Sequence, residues 1–599
     1  MTDRSPHETP AGRGLRLTVR LRRLLANIAG AWKAGGAGGV RRYAADAWAV
    51  RRLNAYELWA RRHRVWELDA AGTAGDPGAV SRLCVVVIAE ETGMAEAART
   101  IRSTGRGGAD IRIVTARAPW WRRLGVRARA GHRVRWVRAL PGEPAHAQLN
   151  RAAKDSAAEY VLFVEAGDRL APNALREIAN TCAAQQPDLL YTDEDEWGAD
   201  GHCARPHFKT DPGPDLMLSG DYMGGVLALR RALFETLGGF RRAFGDAGQY
   251  DLVLRATEAT DRICHLPRPL YHRRVQETAT PRRRHEAMRS AIEDALVRRK
   301  IEATVGDGRE PCRFRVRRRL RGRPLVSIVV PFRDHPELLR ACLGSVLEKS
   351  TYDRFEVLGV SNHTTVPAAF DCMDELMRRD HRVRFAECNI EFNFSRLVNF
   401  GVSQAQGEFV VLLNNDVEII APEWLAALLE HAQRPEAGAV GGKLYFPDDT
   451  VQHAGIALGL GGYAGYPHRH FPRASDGYFG RLWAIQNVSA VTAAMMMVRR
   501  RVWEDAAGFD EERFAIAYND VDFCLRLRER GLLNVFTPYA EAYHRESASR
   551  GYEETAEQRG RFRREQQNLM ERHGAAIAAG DPYYNPNLDR NRDDFAWAP

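Results

Sequence analysis

Two long segments of the chain carry the same rhythm of short apolar runs and amphipathic stretches. In the first, residues 84–88, 111–114 and 160–164 are strand-length runs rich in Val, Ile and Leu, 189–195 is a further strand that begins Leu-Leu-Tyr and ends in acid, and a helical pattern covers 94–101 with another opening near Pro172. In the second, 326–331, 355–360 and Phe409–Leu413 are the apolar runs. Residues 336–347 place Leu338, Leu339, Cys342, Leu343 and Val346 on one helical face, 395–405 predicts a helix with Ser395 as its cap, and 424–431 predicts another after Pro422. Continuous apolar runs mark strands buried on both faces, and their alternation with helices predicts an α/β fold with a mostly parallel sheet.

The two segments also match each other. Residues 160–164, an acidic turn and Ala171-Pro172 answer Phe409–Leu413, Asn414-Asn415-Asp416 and Ala421-Pro422. LALRRALFETLGG (227–239) answers MMVRRRVWEDAAG (496–508), QYDLVLR (249–255) answers DVDFCLR (520–526), and LYHR (270–273) answers AYHR (542–545). Four landmarks in one order predict a duplicated domain. The copies differ at acids. Gln249 stands where the second copy has Asp520, and Glu165-Ala166-Gly167 where it has the Asn-Asn-Asp triplet, with Asp168 one position late. Residues 111–116 contain no acid, and Asp193 and Asp195 are the one acidic cluster left to the first copy that could bind a cation.

Composition adds bounds. A chain of 599 residues predicts two to four domains. The expected division is a basic helical region over 1–80, a first sheet domain over 81–280, a helical and basic connector over 281–323, a second sheet domain over 324–552, and a helix and tail over 553–599. The formal charge of +10 is concentrated at the amino end and suits anionic partners. There, arginines interleave with Trp32, Trp48, Trp59 and Trp66, a pattern that fits packing on a neighbouring domain or contact with an anionic membrane surface. No nucleic-acid module accompanies it, so no nucleic-acid partner is expected. None of the nine cysteines has CxxC spacing, which indicates neither a zinc motif nor a disulfide framework. With no signal peptide and no bilayer-length apolar run, the expected location is the cytoplasm, at most peripheral to the inner membrane.

The chemistry-bearing stretch is Phe409–Leu413 followed by Asn414, Asn415 and Asp416. In open α/β sheets ligands bind past the carboxyl ends of strands, where these hard oxygen donors suit a divalent cation and a diphosphate. The same residues also favour an ordinary turn. Further motifs are Val326-Ser-Ile-Val-Val-Pro331, Phe392-Asn-Phe-Ser395, Gly438-Ala-Val-Gly-Gly-Lys443, Gln452-His-Ala-Gly455, Asn487-Val-Ser-Ala-Val-Thr-Ala493, Asn519-Asp-Val-Asp-Phe-Cys-Leu-Arg526 and Tyr543-His-Arg-Glu-Ser547. Together and in order they resemble the family 2 glycosyltransferases of the GT-A fold, in the rhamnosyltransferase-like subgroup of bacterial surface-polysaccharide synthesis. The resemblance is strong over about 324–550 and covers 83–274 as a degenerate second GT-A domain.

That resemblance implies an inverting, metal-dependent glycosyltransferase acting on a UDP-, dTDP- or GDP-sugar and a glycan or lipid-linked acceptor. Mg²⁺ or Mn²⁺ would be held by Asp416 and His544 with Asn414. The donor would meet Pro331, Arg333, Asn362, Asn393, Ser395, Asn399, Asn414 and Asn415. Asp520 would be the general base, and Gln452, His453, Asn487, Thr492 and Asp522 would face the acceptor. Each has a plainer reading: Asp520 as a helix cap, Asp522 as the partner of Arg526, His544 as a structural histidine, and the polar acceptor residues as bonds to loop backbone. The sequence departs from the family where Val360-Ser-Asn-His-Thr364 lacks the usual aspartate and where the metal triplet begins with Asn. Two other readings stay open: a bifunctional polymerase with both copies active, and a non-catalytic carbohydrate-binding scaffold.

Overall fold

The computed structural model describes residues 54–66, 79–88, 94–104, 108–115, 132–140, 143–198, 200–275, 281–546 and 555–598. In the amino-terminal sheet the main strands lie in the order Arg133–Arg138, Asp110–Thr115, Leu83–Ile88, Tyr160–Glu165, Leu227–Arg230, Leu189–Trp197, Ile263–Arg274, Arg169–Leu170. In the carboxyl-terminal sheet the order is Val383–Glu387, Phe355–Ser361, Val326–Phe332, Phe409–Leu413, Met495–Arg499, Ala437–Tyr445, Leu533–His544, Val417–Ile419. Position by position, the pairings have the same sense: four parallel strands, an antiparallel fifth, a parallel pair and an antiparallel edge. The chain is thus an α/β protein of two tandem, mostly parallel GT-A-like sheets.

Packing explains why the strands read as unbroken apolar runs. Successive side chains point to opposite faces. Val326, Ile328 and Val330 join the core on one face of the second sheet, and Val329 joins the core on the other. Cys84 and Val86 are separated from Leu83, Val85 and Val87 in the same way in the first. With helices on both faces, every residue of Val326–Phe332 is buried.

The duplication extends to polar pins. Gly239 and Gly508 both have positive φ, 71° and 61°. At each, an asparagine lies where a Cβ would go, Asn150 Oδ1 at 2.3 Å and Asn399 Oδ1 at 2.5 Å, so only glycine fits. Asn150 bonds both the N–H (2.8 Å) and the carbonyl (2.9 Å) of Phe240, and Asn399 does the same at Phe509 (3.0 and 2.9 Å). Arg255 clasps Asp251 (2.7 Å) and the carbonyls of Leu237 and Gly239. Arg526 clasps Asp522 (2.8 Å) and the carbonyls of Ala506 and Gly508.

A buried carboxylate joins the two sheets. Asp215, on the helix Pro214–Ser219, is 3% exposed. It accepts from Arg434 Nη1 at 2.6 Å and Asn487 Nδ2 at 2.8 Å, with Arg318 at 3.9 Å. These charges hold its carboxyl down to about 2 against the desolvation that opposes them. The tail also crosses over, since Asn585 Nδ2 donates to Asp193 of the first sheet at 3.0 Å.

Two expectations about local structure need correction. The connector is helical only over Pro281–Arg298 and then forms the hairpin Ala303–Asp307 with Phe314–Arg318. Its arginines hid a strand alternation: Phe314 and Val316 are buried, while Arg315 and Arg317 turn to Glu423 and Glu430. The helix Phe394–Ser403 is capped by Asn393, which accepts from Arg396 N at 2.9 Å; Ser395 instead donates to the Phe514 carbonyl. Of the basic lead, the described part includes the helix Ala55–Arg62, capped by Asn54 and packed against the first sheet and the tail. Residues 1–53 and 67–78 lie outside the described residues, and the membrane reading falls on them. Among the described residues no helix is long and apolar enough to cross a membrane.

Candidate active site

A cleft of about 970 Å³ opens at the carboxyl ends of the parallel strands of the second sheet. Pro331, Arg333, Asn362, Asn414, Asn415, Asp416, Thr492, Asp520 and His544 all line it. The metal-type groups converge by topology. Asn414–Asp416 follow the strand Phe409–Leu413, and His544 ends the strand Leu533–His544, paired across the edge with Val417. His544 Nε2 lies 3.2 Å from Asp416 Oδ1 and 3.2 Å from Asn414 Nδ2.

Gln452 sets the chemistry of that histidine. Its amide oxygen lies 2.7 Å from His544 Nδ1, and its amide nitrogen faces the acceptors His544 O and Glu546 Oε2 at 3.4 and 3.3 Å. An amide oxygen only accepts, so Nδ1 carries a proton, and Nε2 is the ring atom left to face Asp416, as the donor of an ion pair or, in the neutral ring, as a lone pair that joins Asp416 in holding a cation. Beside them Asn414 Oδ1 and Asn415 Nδ2 are buried without a hydrogen-bond partner, and buried polar atoms without partners are uncommon enough to need an occupant. The residues present therefore fit a hard divalent cation with an attached phosphate oxygen.

Asp520 sits in the first turn of the helix Asn519–Glu529. Its carboxylate accepts from Ala493 N at 3.1 Å and Val521 N at 2.9 Å. Desolvation pushes its carboxyl above the ordinary aspartate range, partly offset by those two N–H groups and the Thr492 hydroxyl. A carboxylate so raised, in a cleft, is a better proton acceptor than a solvated one.

Other expected site residues are engaged elsewhere. Asn393, Ser395 and Asn399 make the cap and loop bonds described above. Asn487 pins Asp215 on the helix Pro214–Ser219. Asp522 is fully enclosed by Arg526, Arg572 and His573. His453 donates from Nδ1 to the Gly442 carbonyl at 2.9 Å and accepts at Nε2 from Thr492 N at 3.2 Å. Burial holds it down to about 4 and therefore neutral. Gln452 acts through His544.

Residues outside the motifs complete the cleft. Tyr463, Tyr466 and Arg469 come from the loop after the strand Ala457–Leu458, Phe562 and Gln566 from the helix Ala556–Ala579, and Asn591, Arg592 and Asp593 from the tail. Tyr518 bridges the aromatic rings, 5.6 Å from Phe562 and 6.3 Å from Tyr463 between centroids. Arg469 reaches Glu546 at 3.0 Å.

The same place in the first sheet is filled by cations of the chain itself. A Cβ on Gly167 would meet Arg274 Cδ at 3.3 Å, and Arg274 pairs with Glu96. Glu194 binds Arg273 at 2.7 Å and Lys209 at 3.1 Å. Asp168 accepts from Tyr271 and from Arg274 N, and burial pushes its carboxyl up to about 6. Gln249 donates to the Gly225 carbonyl at 2.8 Å.

The two sheets, with a cleft at the strand ends of the second, have the GT-A-like arrangement. Residues 323–564 match the family described as Glycosyltransferase like family 2, and this carboxyl-terminal domain belongs to that family. The chain is 39% identical over 459 residues to uncharacterized protein y4gI of Sinorhizobium fredii (strain NBRC 101917 / NGR234), covering 74% of this chain and 50% of that protein. It is 40% identical over 452 residues to the O-antigen biosynthesis protein RfbC of Myxococcus xanthus, covering 73% of this chain and 34% of that protein. The chain thus spans half or less of the length of these two relatives. Among solved structures, the mannosyltransferase PcManGT from Pyrobaculum calidifontis in complex with GDP-Man and Mn²⁺ aligns with a TM-score of 0.32 and 18% identity, over 44% of this chain and 68% of that one.

Proposed function

We propose that the chain is an inverting, metal-dependent glycosyltransferase of surface-polysaccharide synthesis, moving a sugar from a nucleotide-sugar donor to a glycan or lipid-linked acceptor hydroxyl. The observation that carries this is the shared cleft of Asp520 with Asp416, Asn414 and His544, in which Asn414 Oδ1 has no partner. The division into a scaffold domain (81–280), a connector (281–323) and a catalytic domain (324–552) is part of the proposal. Asp416, His544 and Asn414 would hold Mg²⁺ or Mn²⁺, which supplies charge neutralisation for the departing nucleoside diphosphate. Asn415, Asn362, Pro331 and Arg333 border the donor side. Asp520 takes the proton of the acceptor hydroxyl as that oxygen attacks the anomeric carbon, and a single displacement inverts the centre. Tyr463, Tyr518 and Phe562 offer apolar faces to a pyranose ring and shield the reacting atoms from water. The polysaccharide context draws on the relative named for O-antigen biosynthesis.

The test is turnover of a panel of nucleotide sugars with Mn²⁺, followed as release of nucleoside diphosphate. Turnover that stops in excess chelator supports the reading. Full turnover in excess chelator removes the metal from it.

A further inference from the structure

A different chemistry lies on the amino-terminal sheet. Three side chains of unlike donor type meet there: Asp195 on Leu189–Trp197, Cys203 at the start of Cys203–His207 and His272 on Ile263–Arg274. One ligand atom from each lies within 4.8 Å of the other two. The positions are too scattered to form a sequence motif. Strand register unites them, since Asp195 pairs with His272 and Trp197 with Cys203. Asp195 is 1% exposed and His272 7%, while Cys203 is half-buried.

Geometry separates the readings of this cluster. A Cys–His–Asp relay for nucleophilic catalysis needs thiol and carboxylate on opposite ring nitrogens. Here both address Nδ1, Asp195 Oδ1 at 2.7 Å and Cys203 Sγ at 3.7 Å. A plain ion pair accounts for the carboxylate and not for the thiol, because Nδ1 has one proton to give. Carboxylate, imidazole and thiolate converging on one point is the donor set of a borderline divalent cation. Ordinary zinc bonds, about 2.3 Å to sulfur and about 2.0 Å to nitrogen, place neighbouring ligand atoms of a tetrahedron about 3.5 Å apart. That is close to the sulfur–nitrogen separation, and a small outward shift of the carboxylate completes the fit. Each donor is also braced from behind, as ligands of metal sites are. Asp195 Oδ2 accepts from Tyr56 at 2.7 Å, Cys203 N donates to Glu57 Oε1 at 3.0 Å, the Cys203 carbonyl accepts from Asn54 at 2.6 Å, and Trp66 stands edge-on to the His272 ring at 5.2 Å. All four braces belong to the helix Ala55–Arg62 or its flanks.

We propose that Asp195, Cys203 and His272 form a zinc-type divalent cation site, with water as fourth ligand, that fastens this helix to the first sheet. Loading releases the thiol proton and the Nδ1 proton. The site is independent of the glycosyl-transfer reading. His272 occupies the place of His544 in the duplication, and Cys203 stands to it as Gln452 stands to His544. The first copy has kept its histidine and changed the company around it.

The test uses the full chain, unaltered and as Asp416→Ala, with Zn²⁺ and then Co²⁺ as probes. Zinc should survive gel filtration in both, and cobalt should give a thiolate-to-metal charge-transfer band that Cys203→Ser removes. Stripping zinc should lower the melting temperature. A folded, unaltered chain with no thiolate–cobalt band at saturating Co²⁺ would overturn the site, whether or not Cys203→Ser folds. A band that persists in Cys203→Ser would overturn it as well, because another cysteine would be the ligand.

Discussion

The two sheets share strand order, strand sense, the Gly239/Gly508 turns, the Asn150/Asn399 pins and the Asp251–Arg255/Asp522–Arg526 clasps. They part at Gln249 against Asp520, at Gly167 under Arg274 against Asp416, and at Cys203 against Gln452. The first copy therefore serves as an internal control. A polar residue kept in both copies with the same partners maintains the fold, and one that is found only in the second, or that has changed its partners, is a candidate for chemistry. By that criterion Asn399 and Asp522 group with the scaffold, and Asp416 and Asp520 are the candidates for chemistry. Arg273, Arg274 and Lys209 put positive charge where the second copy would put a cation, which removes the need for one at that place in the first.

The sharpest way to break the contrast is Asp520→Asn. Loss of a general base costs about a hundred- to ten-thousand-fold in turnover, and nucleotide binding should persist because the proposed role of the carboxylate is on the acceptor. Turnover near the wild-type rate would return Asp520 to the role of a helix cap. As the proposed general base, the carboxylate would be the active form, and burial raises its pKa. The acidic limb of kcat/KM should therefore lie above the ordinary aspartate value of about 3.9, with activity rising as pH rises through it. A limb at the ordinary value would contradict this assignment.

Next in size is the joint. Asp215→Ala leaves Arg434 and Arg318 buried without their shared carboxylate, and breaking a buried pair costs about 3–5 kcal/mol. Chemical denaturation should show that loss. A neutral result would mean that the two sheets do not depend on this contact.

Smaller is Gln452→Ala, which frees the His544 ring. Changes behind a ligand typically cost about 10–100-fold in metal affinity. Gln452→Glu keeps an acceptor on Nδ1 and should recover most of the affinity, whereas loss confined to acceptor KM would restore the acceptor role expected from sequence. The smallest expected effect is Gln249→Ala in the first copy, which should leave kcat/KM unchanged. A fall in one of two separable products would revive the bifunctional reading.

The strands were legible because burial on both faces leaves unbroken apolar runs such as Val326–Phe332 and Phe409–Leu413. The divergence of the copies was legible because chemistry lives in single side chains that can be read against a retained frame. Direction was not legible. Asn399, Asn487 and Asp522 have the polarity of ligand-binding residues, yet each turns to backbone or to a buried partner, and sequence does not say which way an amide faces. Nor was the far wall of the cleft, since Phe562 and Asn591 reach it only after the terminal helix and tail close over the domain. The arginines of Phe314–Arg318 obscured a strand because charge was given more weight than its alternation with Phe314 and Val316.

The central claim is that one sheet carries the chemistry and the other its frame. Calorimetric titration of the full chain with nucleoside diphosphate in the presence of Mn²⁺ tests it most directly. The account predicts a single site, abolished by Asp416→Ala and untouched by Gln249→Ala. Two sites, or one that survives Asp416→Ala, would contradict it.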